Sequence, residues 1–148
     1  MQANRWIVAA GVYGALGLAI GAFGAHGLPK NLAALGFGSE DIAARLEIFE
    51  TGARYHMYAA MAVLGAGVAG LSRPHRAWGI AAALLLSGSV LFSGLLYALA
   101  FVGDGWRWLG AVVPVGGLLQ IAGWIAIAGA GASTRPGNQA ADPSDPRQ

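Results

Sequence analysis

Charge along this chain is gathered at its ends and in short segments, and between these run four long apolar stretches, residues 7–26, 54–71, 77–102 and 109–132. The first holds twenty uncharged residues, which as a helix rising about 1.5 Å each would cover roughly the 30 Å of bilayer hydrocarbon. The third offers 26 uncharged residues, more than one crossing needs, so tilt or a buried helix end is expected. Glycines 11, 14, 17, 21 and 24 recur every three or four positions in the first stretch. Missing side chains let helix backbones approach where apolar contact alone gives no reason to associate, and packing inside one bundle is favoured over a dimerisation face.

The connections carry the breakers. Pro29 stops the first helix, Gly36 and Gly38 interrupt the chain, and Ser39 stands as an N-cap ahead of Glu40 and Asp41. Ile42, Leu46, Phe49 and Ala53 then fall on one helical stripe and Glu47, Glu50 and Arg54 on another, with Glu50 and Arg54 in the favourable i, i+4 order. This pattern fits a short amphipathic helix along the membrane surface, joined at Thr51-Gly52 to the second span. One continuous helix over residues 40–71 is the near-equal alternative. Trp106 and Trp108 suit the headgroup level, and Pro114 predicts a kink near the start of the fourth span. From residue 133 the chain turns polar and proline-rich, which predicts a disordered tail. The expected fold is all-α: a four-helix transmembrane bundle over residues 1–132, with a surface-lying helix in its first loop.

Composition agrees with that class. Of 148 residues, 56% are hydrophobic and 11% charged, against about 25% charged in soluble domains. The apolar run at the N-terminus is too long for a signal-peptide core of about 7–15 residues, and further spans follow. Nine Lys and Arg against seven Asp and Glu give a net charge of +2, and the basic residues are scattered singly, so nucleic-acid binding has no support. Without cysteine there is no disulfide framework and no thiolate metal site. With both termini inside, Arg5, Arg73, Arg76, Arg135 and Arg147 face the cytoplasm, against Lys30, Arg45, Arg54 and Arg107 outside. That one-charge excess favours cytoplasmic termini.

Polar groups with chemical potential are few. No carboxylate or basic residue lies deep in a span, which weakens ion-coupled transport. His26 ends the first span and His56 opens the second, so an antiparallel pair would set both at one membrane face. As neutral imidazoles they suit proton relay or a metal. Two histidines without a carboxylate or cysteine make an incomplete metal site, however, and the favoured reading has each donating to a loop carbonyl. Glu50, Arg54 and Tyr55 are read as a solvated interfacial set. Ser87, Ser89 and Ser93 are expected to bond carbonyls of their own helix, with Tyr97 nearby, and Gln120 to make an interhelical hydrogen bond inside the bundle. No catalytic set, cofactor loop or metal cluster stands at a usable spacing.

Four motifs in order carry a resemblance: Gly21-Ala22-Phe23-Gly24-Ala25-His26-Gly27-Leu28; Phe49-Glu50-Thr51-Gly52 with Tyr55-His56-Met57-Tyr58; Leu91-Phe92-Ser93-Gly94 with Leu96-Tyr97; and Pro114-Val115-Gly116-Gly117 with Gly123-Trp124. Over residues 6–124 the chain resembles the YgdD-like family of small bacterial inner-membrane proteins, a domain family of unknown function with eukaryotic relatives. The resemblance implies a four-helix membrane protein and no established activity. The family pattern often has a histidine at Ala59, a serine at Leu95 and a threonine at Val113. Their absence here favours structural roles for His26 and His56.

The leading expectation is a non-enzymatic inner-membrane component whose partners are the lipid bilayer and either a second copy or another membrane protein. The alternative is a small channel or carrier for a neutral solute or proton, lined by His26, His56, Ser93, Tyr97 and Gln120. A lipid-acting enzyme using a cleft near Glu50, Arg54 and Tyr55 ranks third.

Overall fold

A computed structural model describes residues 2–133, and among these no strand occurs. Of the predicted tail, residues 133–148, Ser133 is instead the last residue of a helix, and residues 134–148 lie outside the described residues. Helix α1 is Gln2–His26, α2 Leu28–Ala34, α3 Ser39–Ser72, α4 Arg76–Phe101 and α5 Val113–Ser133, with a 3-10 helix at Asp104–Ala111 before α5. Among the described residues, three helical stretches, Ala3–His26, Arg76–Phe101 and Trp108–Ser133, are long and apolar enough to cross a membrane by length and composition.

Three local expectations are revised. Pro29 opens a helix as well as ending one: it sits in the first turn of α2, where a missing N–H leaves no helical bond unmade. Pro114 likewise stands in the first turn of α5, so it starts that helix without kinking it. Ser39 does not cap α3 through its side chain; Gly38 holds the N-cap position in extended backbone. Between α2 and α3 the chain reverses at Gly36, whose φ of +88° is open to glycine and costly for other residues.

Nothing breaks α3 at Thr51-Gly52. The amphipathic stretch and the second apolar run form one helix of 34 residues, about 51 Å long. The stripe read from the sequence does turn inward: Phe49 is buried, and Ile42 and Leu46 join it against Leu28 and Leu32 of α2. Gly52 does not interrupt the helix because its bare face is where α4 arrives. A Cβ there would lie 3.0 Å from the Tyr97 ring.

The long helices pack in chain order. α3 lies against α1 on one side and α4 on the other, and α5 lies along α4. α1 and α3 run antiparallel in a fixed register, with Ile7 beside Gly67, Gly14 beside Ala60, Gly17 beside His56 and Gly24 beside Phe49. On the other side, Gly88 and Gly116 bring the α4 and α5 backbones together. A Cβ on Gly116 would fall 2.5 Å from the Phe92 nitrogen. These seams supply the close approach that dispersion needs in lipid.

Outward surfaces are apolar. Val8, Val12 and Leu18 on α1 and Leu118, Ile121 and Ile125 on α5 are each more than half exposed. In water such a surface would drive association, whereas in hydrocarbon it is matched to its surroundings. One end of α4 is closed by Arg45 of α3. Its Nη1 donates to the carbonyls of Val102 at 2.7 Å, Ala100 at 3.1 Å and Leu99 at 3.4 Å, and the guanidinium lies 3.7 Å from the Phe37 ring centroid. Those carbonyls are the acceptors a helix end leaves unpaired, and a cation there also suits the helix dipole.

Candidate functional site

Between the Phe49 cluster at one end and the Ala62, Trp78 and Leu85 cluster at the other, three helices share a polar layer. Its centre is His56, which is 2% exposed. The α1–α3 register sets the imidazole against Gly17, where a Cβ would fall 2.8 Å from His56 Cδ2. Glycine there bares the helix carbonyl one turn earlier, and His56 Nε2 lies 2.9 Å from the Tyr13 backbone oxygen. The ring also stacks on the Tyr13 side chain, with centroids 3.7 Å apart at 16°.

The acceptor fixes the tautomer. A carbonyl oxygen can only accept, so Nε2 carries the proton and donates, and Nδ1 of the neutral ring is an acceptor. Tyr97 of α4 meets that nitrogen at 3.2 Å and donates its hydroxyl proton. Tyr13 closes the triangle by donating to Ser89 Oγ of α4 at 2.9 Å. α1, α3 and α4 are therefore joined pairwise by side chains that each satisfy another's polar atom. Both nitrogens of His56 are engaged.

Two neighbouring polar groups are left differently. Ser93 lies one turn from both Ser89 and Tyr97 on α4 and is fully buried, and its Oγ has no hydrogen-bond partner among the described residues. Gln120 of α5 is 7% exposed, as expected of an interior residue, but its Nε2 does not make the interhelical bond anticipated for it. Of the three serines, only Ser87 bonds a carbonyl of its own helix, at 2.8 Å to Ala83.

The remaining candidates are not brought to this layer. His26 is exposed at the end of α1, nine residues from Gly17 and so about 13 Å along the helix from His56. The shared-face pairing of the two histidines is thereby corrected: the register follows Gly17 and Gly24, not the ends of the apolar runs. His56 does donate to a carbonyl, but to a helix carbonyl and not one in a loop. Arg54 donates to Thr51 Oγ1 at 3.3 Å and makes no ion pair with Glu50. Tyr55 packs on Tyr58 and Phe92, with centroids 5.8 and 5.0 Å away. Tyr13 and Ser89 were missed as site residues. Tyr13 did carry a signal, since tyrosine in mid-span lies far from the interfacial belt it ordinarily favours.

Residues 20–117 match the family model described as protein of unknown function (DUF423). The chain belongs to this family. The UPF0382 inner membrane protein YgdD of Escherichia coli (strain K12) is 35% identical over 125 residues, which cover 84% of this chain and 86% of that protein. The UPF0382 membrane protein SH2409 of Staphylococcus haemolyticus is 41% identical over 106 residues, 71% of this chain and 76% of its own length. A UPF0382 membrane protein of Haemophilus influenzae is 34% identical over 128 residues, 84% of this chain and 91% of that one. No solved structure matches the chain. Within the DUF423 match lie His56, Ser89, Ser93 and Tyr97, while Tyr13 precedes it and Gln120 follows it. This DUF423 protein is thus a helical membrane protein from a family whose function is unknown.

Proposed function

We propose that this protein is a four-span component of the bacterial inner membrane, not an enzyme, that acts by packing laterally against a second copy or another membrane protein. The observation that carries this reading is the engagement of His56. Its two nitrogens are taken up by the Tyr13 carbonyl and the Tyr97 hydroxyl, so its work is to brace three helices. Support for a fourth span comes from the length over which α3 pairs with α1, since Phe49 and Gly67 lie level with Gly24 and Ile7. Support for lateral contact comes from α1, where Gly11, Ala15 and Ala19 form an exposed small-residue stripe while Gly17 and Gly24 serve packing on α3. The one-charge excess of Lys and Arg favours cytoplasmic termini. Cross-linking in native membranes tests the proposal: a dimer or a defined partner is the expected product. Recovery of monomer alone counts against it.

A second reading, a channel or carrier for a neutral solute or proton, is favoured by the unpartnered Ser93 Oγ and Gln120 Nε2. It requires a polar path joining them to His56 and Tyr97. Reconstituted vesicles whose proton and small-solute fluxes equal those of empty vesicles, with and without His56→Ala, remove it.

A further inference from the structure

We infer that the outer face between α1 and α4 binds one anionic phospholipid, its phosphate between Arg5 and Arg76 and an acyl chain in the groove below. Both helices run antiparallel to α3, with Ile7 beside Gly67 and Trp78 beside Gly70, so their N-terminal ends lie together. A cavity of about 530 Å³ at that end is lined by Arg5, Arg76, Trp6 and small or aliphatic residues, with no carboxylate. Both arginines are exposed, and neither makes an ion pair among the described residues.

Through Trp6 and Ala83 this cavity continues into a second, of about 560 Å³, lined by Leu86, Val90 and Leu95. From Gly79 to Leu95 the two follow about 24 Å of α4, more than the roughly 15 Å of hydrocarbon in one leaflet. Two cations above an apolar slot, on helices whose outer faces suit lipid, complement a phosphate above an acyl chain. Basic pockets between membrane helices hold anionic headgroups in this way. The inference needs α1 and α4 to span the bilayer and holds for either orientation. It does not depend on lateral association.

Native mass spectrometry of the full chain, released from detergent with equal phosphatidylglycerol and phosphatidylcholine of identical acyl chains, tests it. The native protein is expected to retain phosphatidylglycerol preferentially, and the Arg5→Gln/Arg76→Gln variant to lose that preference by roughly 30-fold. Arg73→Gln, which removes a charge at the same end without lining the cavity, is expected to lose less. Ala83→Phe fills the passage between the cavities at an exposed position and is expected to weaken retention of both lipids. Circular dichroism confirms the helix content of each variant. Equal retention of the two lipids by the native protein, or an unchanged preference in the double variant, overturns the inference. So does displacement of the lipid by an equal concentration of glycerol 3-phosphate, which would mark a phosphate site without a lipid slot.

Discussion

The backbone carbonyl of Tyr13 accepts from His56 Nε2 at 2.9 Å while the Tyr13 ring stacks on the same imidazole, so one residue of α1 holds the histidine of α3 twice. Its hydroxyl then reaches across to Ser89 of α4. Interhelical hydrogen bonds between membrane helices contribute about 0.6 kcal/mol on average and up to about 1.7. A double-mutant cycle of Tyr13→Phe with Ser89→Ala, followed by unfolding in detergent, is expected to give a coupling in that range. Strict additivity would show that the bond contributes nothing.

The tautomer is directly observable. Imidazole ¹⁵N resonances of His56 are expected to show a protonated Nε2 and a bare Nδ1, and Tyr97→Phe is expected to shift Nδ1 by removing its donor. Protonation at Nδ1 would refute the assignment.

Gly17 and Gly21 differ in what surrounds them. A Cβ at Gly17 would fall 2.8 Å from His56, whereas one at Gly21 meets nothing within 4 Å. Gly17→Ala is expected to destabilise by about 1–3 kcal/mol, as overpacking does. Gly21→Ala is expected to stay within about 0.5 kcal/mol of the native protein in the same thermal melts.

Ser89 and Ser93 should also part company, although they stand one turn apart. Ser89 accepts from Tyr13, and Ser93 Oγ has no partner. Removing a buried unpaired hydroxyl relieves a desolvation cost, so Ser93→Ala is expected to be neutral or to stabilise by up to about 1 kcal/mol, while Ser89→Ala destabilises. A clear loss at Ser93→Ala would reveal a bound group there and strengthen the channel reading.

Arg45 holds three carbonyls at the end of α4 and covers Phe37. Hydrogen bonds to charged groups contribute about 1.5–3 kcal/mol, so Arg45→Ala is expected to lower stability by about 2 kcal/mol. Arg45→Lys is expected to recover less than half of that, because a compact ammonium cannot stack on the Phe37 ring as the flat guanidinium does. Full recovery by lysine would reduce the contact to simple charge.

The long elements were legible because unbroken apolar runs leave the chain few options: α4 begins and ends one residue from the predicted third span. The first half of α3 was not, because Ile42, Leu46 and Phe49 repeat identically whether the helix lies on a membrane surface or buries that stripe against α2. Gly52 read as a break, yet it receives Tyr97. The polar layer was half legible. His56 and Tyr97 stood out as rare polar groups in apolar surroundings. Their partner Tyr13 depends on a register set by side chains that glycine lacks, and its bond to Ser89 joins residues 76 apart in sequence.

Each long helix after α1 packs directly on the long helix made just before it. A chain arranged this way can be laid into the bilayer as it is synthesised, every new segment docking on one already in place. The tie from Tyr13 to Ser89 skips α3 and must wait for α4, which makes that hydroxyl pair a natural reporter of the moment the third long helix takes its place.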